Sequence, residues 1–216
     1  MKKYKMLIFD MDGTILYTLE DLKNTTNYAL NEHGFPERTL EEVRRFVGNG
    51  IHKLIERAVP EGTSDADIEA VFTTFEIYYK DHCMDTTRPY DGINDLLTKL
   101  RAKGYMTAVV SNKVDFAVQD LVKDFFIGQF DIAIGEREGV RKKPAPDSVY
   151  EVLKEFHLGK DEVIYIGDSD TDLDTARNAG VACIGACWGF RGRAFLEAHG
   201  AKLLAENVSD IWELIK

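Results

Sequence analysis

The apolar run Met6-Leu7-Ile8-Phe9 ends abruptly in Asp10-Met11-Asp12-Gly13-Thr14, and this junction constrains the fold more than any other stretch of the chain. Four apolar residues without a polar break read as a fully buried strand. If strand geometry persists past Phe9, Asp10 and Asp12 point roughly the same way, because side chains alternate with period 2. Two like charges at the mouth of a buried strand cost free energy, which a divalent cation or a shared proton offsets. Gly13 allows a sharp turn after the pair, and Thr14 adds a hydroxyl.

The pattern repeats. Met106-Thr107-Ala108-Val109-Val110 ends in Ser111-Asn112-Lys113, and Val163-Ile164-Tyr165-Ile166 ends in Gly167-Asp168-Ser169-Asp170-Thr171-Asp172. Between them lies a basic cluster, Arg141-Lys142-Lys143-Pro144. Ligands of open α/β sheets bind at the carboxyl ends of the strands, so these polar groups can converge on one site. Together they supply carboxylates, a hydroxyl, an amide and an ammonium, the inventory for a metal-bound phosphate.

Residues 17–84 carry helical signals only. Apolar residues recur at helical spacing between Glu20 and His33, and Gly34 and Pro36 close the run. Thr39-Leu40-Glu41-Glu42 has the form of a capping box opening a helix that ends near Gly48. Further helices are expected at about 50–59 and from Ser64-Asp65 onward. After Arg88-Pro89 strands and helices alternate: helix 91–103, strand 106–110, helix 114–125, strand 131–134, a helix from Pro146 to about Leu158, strand 163–166, helix 171–179, strand 181–184 and a terminal helix near 207–215. Such alternation implies a parallel sheet with right-handed crossovers. The predicted fold is therefore α/β: a Rossmann-like parallel core, residues 1–16 and 85–216, interrupted after its first strand by an all-helical domain, residues 17–84.

Net charge is −10 with a sequence pI near 5.0, which argues against a general nucleic-acid or anionic-membrane binder. An anionic substrate then depends on individual lysines, arginines and a metal ion. Cys83, Cys183 and Cys187 are too few and too scattered for zinc or a disulfide framework, and Cys183 reads as a buried small hydrophobe. The basic start, Met1-Lys2-Lys3-Tyr4-Lys5, is followed by only four apolar residues before Asp10, too few for a signal peptide, and no 18-residue apolar stretch exists. A reduced, cytoplasmic setting is expected.

Asp-x-Asp-Gly-Thr at 10–14, Ser-Asn at 111–112, Lys-Pro at 143–144 and Gly-Asp-Ser-x-x-Asp at 167–172, in that order, resemble the haloacid dehalogenase superfamily of phosphatases, in its phosphoglycolate-phosphatase-like branch. Ala176-Arg177-Asn178-Ala179-Gly180 continues the last motif in the family manner. The resemblance implies a phosphomonoester hydrolase acting on a small phosphorylated metabolite, phosphoglycolate among the candidates. Asp10 would be the nucleophile forming an aspartyl phosphate, and Asp12 the general acid and later base. Mg²⁺ would be held by Asp10 and Asp168 through side chains and by Asp12 through its backbone carbonyl. Ser111, Asn112 and Lys143 would bind the transferring phosphoryl group, with Thr14 and Asp172 behind them.

The helical insert would be a cap excluding water, and Gly48-Asn49-Gly50 resembles the family's selectivity turn, with Asn49 and Arg45 the expected contacts to the leaving group. Tyr17 departs from the family pattern at the joint, where relatives carry an acidic residue. Structural roles compete at several positions: helix-terminal charge for Asp168 and Asp172, and N-capping of helix 114–125 for Ser111 and Asn112. The β-phosphoglucomutase-like and pyrophosphatase activities are the alternatives within the fold, and an idle binding module the alternative outside enzymes. The charge balance points to no nucleic-acid or membrane partner, and a monomer or homodimer is expected. The sequence leaves Trp188, Phe190, Arg191 and Arg193 open between an oligomer contact, a wall of the site and a plain loop.

Overall fold

The computed structural model describes residues 3–216; Met1 and Lys2, read above as part of a basic N-terminus, lie outside them. In chain order the elements are β1 (Met6–Phe9), β2 (Leu16–Tyr17), α1 (Leu19–Glu32), α2 (Leu40–Phe46), α3 (Ile51–Ala58), α4 (Asp65–His82), β3 (Arg88–Pro89), α5 (Ile93–Ala102), β4 (Met106–Val114), α6 (Asp115–Phe125), β5 (Ile132–Glu136), α7 (Asp147–Glu155), β6 (Val163–Gly167), α8 (Asp170–Ala179), β7 (Ala182–Ala186), α9 (Gly192–Ala198), β8 (Leu203–Ala205) and α10 (Asp210–Leu214). The chain divides into two compact units, Met1–Leu16 with Pro89–Lys216, and Tyr17–Arg88.

The first unit is built on a six-stranded sheet in the order β5-β4-β1-β6-β7-β8. All its pairings are parallel, with Met6 opposite both Met106 and Val163. The chain works outward from β1 through β4 to β5, then crosses to the other side of β1 and continues through β6 and β7 to β8. This is the Rossmann-like α/β order, and its switch point falls between the carboxyl ends of β1 and β6, where Asp10 and Asp168 follow. Continuous apolar runs suit such a sheet because helices cover both faces. Leu7 and Phe9 pack with Val109, Ile164 and Ile166 in one core cluster. Met6 and Ile8 pack with Ala108, Val110 and Tyr165 in the other.

The second unit is helical. Thr39 caps α2 as its sequence requires: its Oγ1 accepts from the Glu42 N–H at 3.2 Å, and its own N–H donates to Glu42 Oε2 at 2.8 Å. Ser64 caps α4 in the same manner. Buried Asp21 closes the unit, accepting from the N–H groups of Thr86 and Thr87 at 3.0 and 2.8 Å. Among the described residues, no helix is long and apolar enough to cross a membrane.

Several local expectations need correction. Tyr17 is not helical but belongs to β2, which pairs with β3, and the Arg88 guanidinium lies 4.5 Å from its ring centroid. A cation over an aromatic face is an attractive contact, so Tyr17 has a partner within its own unit. β4 does not stop at Val110 but runs to Val114, carrying Ser111, Asn112 and Lys113 within it. α9 and β8 have no counterpart in the sequence reading, because Leu203–Ala205 is only three residues long and α9 opens without a side-chain cap. Cys183 is half-buried on β7 rather than buried.

Candidate active site

Asp10 and Asp12 do not point together. β1 ends at Phe9, and residues 11–16 fold into a tight loop in which the Thr14, Ile15 and Leu16 N–H groups all reach back to the Met11 carbonyl at 3.0–3.2 Å. Gly13 takes φ of 82° within it, a conformation that disfavours other residues. The period-2 argument fails because the strand geometry it assumes has ended. Each carboxylate instead meets its own lysine. Lys143 Nζ lies 2.8 Å from Asp10 Oδ1. Lys113 Nζ lies 3.0 and 3.3 Å from the two Asp12 oxygens.

Lys113 was not singled out by motif reasoning. Its signal was a lysine at the end of an apolar strand run, and its side chain is only 1% exposed. A buried ammonium is costly unless paired, so the Asp12 contact is what permits its position.

Asp10, Asp168 and Asp172 form the acidic cluster, with one oxygen of each within 4.8 Å of the others and all three buried. Asp12 does not contribute its carboxylate to this cluster; any ligation by Asp12 is left to its backbone carbonyl. The three members differ in how far they are already satisfied. Asp172 is fully engaged: Oδ1 accepts from Lys143 Nζ at 2.7 Å, with Tyr165 Oη 3.3 Å away, and Oδ2 accepts from Ser169 Oγ at 2.6 Å and Ser169 N at 3.1 Å. The helix-terminal role weighed for Asp172 and its role behind Lys143 therefore coexist, since it is also the third residue of the α8 capping box. Asp168 accepts one donor on each oxygen, Thr14 Oγ1 at 3.3 Å and the Phe190 N–H at 2.7 Å. Asp10 Oδ1 has no hydrogen bond of good geometry, although the Lys143 ammonium is close.

Electrostatics follow from this crowding. Burial, followed by the Asp172 charge, pushes the Asp10 carboxyl up to about 7 against the pull of Lys143. Burial and the charges of Asp172 and Asp10 raise Asp168 well above the carboxylate range, opposed by the Phe190 N–H. Burial alone would lower Lys143, but Asp10 and Asp172 outweigh it and hold the ammonium charged. Three carboxylates share one lysine, so the cluster carries more negative charge than its cation can neutralise. An oxygen-only set with one under-satisfied carboxylate suits a hard divalent cation, with Asp10 and Asp168 as the available ligands.

Asn112 has an unexpected task. Its side chain brackets the Lys143 backbone, with Nδ2 donating to the Lys143 carbonyl at 3.0 Å and Oδ1 accepting from the Lys143 N–H at 2.8 Å. The motif asparagine thus fixes the motif lysine across 31 residues of sequence. Tyr165 supports the same lysine: its hydroxyl lies 3.1 Å from Lys143 Nζ and donates to the Val110 carbonyl at 2.9 Å. Ser111 Oγ accepts from the Lys113 N–H at 3.3 Å. Neither Ser111 nor Asn112 caps α6, whose N-cap is Val114 and which has no side-chain cap.

Trp188 and Phe190 line this unit's site: the Trp188 indole N–H donates to the Thr14 carbonyl at 3.0 Å, beside the Phe190 contact to Asp168. Arg193 instead pairs with Glu197 and Glu206 at the surface. Asn49 and Arg45 belong to the helical unit. Asn49 Oδ1 accepts from Arg57 Nη2 at 2.8 Å, and Arg45 Nε donates to the Glu41 carbonyl at 3.2 Å.

Known proteins resemble this chain in sequence and fold. The haloacid dehalogenase-like hydrolase family matches residues 7–186. A phosphoglycolate phosphatase of Pseudomonas putida KT2440 is 30% identical over 94% of this chain and 77% of its own length. One from Haemophilus influenzae 86-028NP is 31% identical over 87% of this chain and 88% of its own. The crystal structure of a candidate phosphoglycolate phosphatase from Lactobacillus delbrueckii subsp. bulgaricus superimposes with a TM-score of 0.94 at 40% identity, covering 100% of this chain and 99% of that one. With the four motifs gathered at the switch point of its sheet, the chain belongs to the haloacid dehalogenase-like hydrolases, as a phosphatase of the phosphoglycolate-phosphatase-like kind.

Proposed function

We propose that this phosphatase hydrolyses a small phosphomonoester, 2-phosphoglycolate, through an aspartyl-phosphate on Asp10, with Mg²⁺ as cofactor. The observation that carries the reading is the environment of Asp10: a buried carboxylate beside Lys143, in a cluster with Asp168, and held by fewer donors than Asp172. A carboxylate met by a single ammonium, at Oδ1, keeps lone pairs for a cation and for a phosphorus atom, whereas both oxygens of Asp172 are taken.

In the first step an Asp10 oxygen attacks phosphorus as the bond to the leaving alcohol breaks, and the Asp12 carboxyl gives that alcohol its proton. In the second, Asp12 takes a proton from water, the water oxygen attacks phosphorus, and Asp10 leaves as carboxylate with inorganic phosphate. Dividing the reaction this way replaces one slow displacement by two easier ones. General acid–base help of this type is typically worth about 10²–10⁴-fold.

Lys143 neutralises charge on the phosphoryl oxygens, and Asn112 and Tyr165 keep it in place. The Ser111 hydroxyl donates to a phosphoryl oxygen. Lys113 fixes the position of the Asp12 carboxylate between its two proton transfers. Bound at Asp10, Asp168 and the Asp12 carbonyl, Mg²⁺ would neutralise charge developing on the phosphoryl group.

The core residues touch only the phosphoryl group, so choice among leaving groups falls to the helical unit acting as a cap, with Asn49 and Arg45 as its contacts. Substrate identity rests on the curated relatives, which are phosphoglycolate phosphatases. Three free cysteines suit the reducing cytoplasm.

The test is phosphate release from 2-phosphoglycolate and from p-nitrophenyl phosphate, with and without Mg²⁺. Mg²⁺-dependent turnover of both, with higher kcat/KM for phosphoglycolate, is expected. Turnover unchanged in chelator, or by Asp10→Asn protein, overturns the mechanism. Preference for another phosphorylated metabolite overturns the substrate alone.

A further inference from the structure

The loop Cys187-Trp188-Gly189-Phe190, between β7 and α9, belongs to none of the four motifs, yet it touches two of them. The Cys187 N–H donates to the Ala205 carbonyl at 2.9 Å, and the Gly189 N–H to the Ala186 carbonyl at 3.2 Å, so the loop is pinned to β8 and turned tightly off β7. From that anchorage it makes two directed contacts. The Trp188 indole N–H holds the Thr14 carbonyl at 3.0 Å, and the Phe190 N–H holds Asp168 Oδ2 at 2.7 Å. Thr14 in turn places its hydroxyl 3.3 Å from Asp168 Oδ1. Both carboxylate oxygens of Asp168 are thus oriented by donors that the loop supplies or supports.

Gly189 shows how close the approach is. A Cβ there would lie 2.2 Å from the Asp168 Cβ and 2.5 Å from the Gly13 carbonyl oxygen. Its φ is not in the left-handed region, so the requirement is for room and not for backbone freedom. On the other side, a Cβ at Gly13 would lie 2.5 Å from Asp168 Oδ2. Asp168 sits wedged between two glycines whose missing side chains define its place.

We propose that Trp188, Gly189 and Phe190 form a positioning clamp that sets the orientation of Asp168 toward a divalent cation, and thereby the protein's affinity for Mg²⁺. The inference rests on the Mg²⁺ reading above and extends it to residues outside the motifs. Groups that orient a metal ligand typically contribute about 10- to 100-fold to metal affinity. Asp168 accepts one donor per oxygen, so each oxygen keeps capacity for a cation.

The experiment compares full-length wild type, Trp188→Phe and Gly189→Ala. Mg²⁺ affinity is read by titration calorimetry and by the rise in melting temperature with added MgCl₂. kcat is measured at saturating Mg²⁺. Trp188→Phe keeps an aromatic side chain but removes the indole N–H together with the five-membered ring that carries it, so about a tenfold weaker Mg²⁺ affinity is expected with kcat at saturation within about twofold. Gly189→Ala displaces Asp168 and weakens binding further.

Wild-type Mg²⁺ affinity in a folded Trp188→Phe protein overturns the clamp, even if its melting temperature drops, because a merely structural loop would act on stability alone. If Gly189→Ala fails to fold, Trp188→Phe decides the matter. No Mg²⁺ binding by the wild type would overturn the metal reading itself, a different result from equal binding by all three.

Discussion

Magnesium affinity should depend steeply on pH, and the direction follows from Asp10. Its carboxyl is raised from 3.8 to about 7, chiefly by burial and then by the Asp172 charge. In the metal-free protein, the stability contributed by neutral Asp10 is fully present below the ordinary carboxylate range. It is lost as pH rises from about 4 through about 7, because the unfolded chain releases this proton first. A shift of this size corresponds to something on the order of 4 kcal/mol. Asp168 is raised for the same reasons and acts in the same direction.

Mg²⁺ binds the carboxylate and not the acid, so binding must expel the proton. With an apparent value of about 7, roughly a tenth of Asp10 is ionised at pH 6 and roughly nine-tenths at pH 8. From Asp10 alone, affinity should therefore be at least about tenfold tighter at pH 8 than at pH 6, with nearly one proton released per ion at pH 6, and raised Asp168 adds to both in the same direction. Calorimetric titrations in buffers of different ionisation enthalpy measure both quantities. Affinities equal within twofold across that range, with no proton release, would show that Asp10 is already ionised without metal and that the crowding argument is wrong.

Asp10→Asn should reduce turnover to background while leaving the metal-free fold as stable as wild type or more so above pH 7, since the amide removes one of three crowded charges; stability is read by thermal melting. Lys143→Met should cost about 3–5 kcal/mol in metal-free urea denaturation, because it strands buried carboxylates without their counter-ion; a loss below about 1 kcal/mol would mean that water enters the cluster freely. Lys113→Met should lower kcat by about 10-fold or more through misplacement of Asp12, with a stability loss of only about 1–2 kcal/mol because the Asp12 side chain is 23% exposed to water. Partial recovery in Lys113→Arg is expected, and unchanged kcat in Lys113→Met would remove the lysine from the proton-transfer machinery.

What could be read from the sequence was whatever is decided locally. Met6–Phe9 and Val163–Gly167 announce buried strands by unbroken apolar character, and Thr39 and Ser64 announce helix starts by the chemistry of the free N–H groups they satisfy. That Asp10 and Asp168 lie together was legible because the ends of neighbouring parallel strands meet at one edge of the sheet, and Lys143 reaches them from the loop before α7. What escaped is set by contacts between distant segments. Nothing in Ser111-Asn112-Lys113 says that the amide will bracket a backbone 31 residues later, or that the ammonium will cross to Asp12. The turn after β1 defeated a period-2 expectation because six residues of loop hydrogen bonding replaced the strand geometry that expectation assumed.

That turn is also what lets four aspartates of one site take different duties, although each is the same chemical group. Asp172 has donors on both oxygens, including a lysine and a helix cap, so it is spent on orientation. Asp168 has one donor on each oxygen and is locked between glycines, so it is placed yet still able to ligate. Asp10 meets a single ammonium, at Oδ1, so its carboxylate keeps electron pairs to offer. Asp12 is turned out of the cluster to a second lysine, where the proton transfer proposed for it would not compete with a cation for the same oxygens. Had β1 continued by two residues, Asp12 would have faced the cluster as a fourth carboxylate, adding charge that a single divalent ion and one lysine could not neutralise. Ending the strand at Phe9 thus separates the proposed nucleophile from the proposed proton-transfer group, two residues apart in sequence.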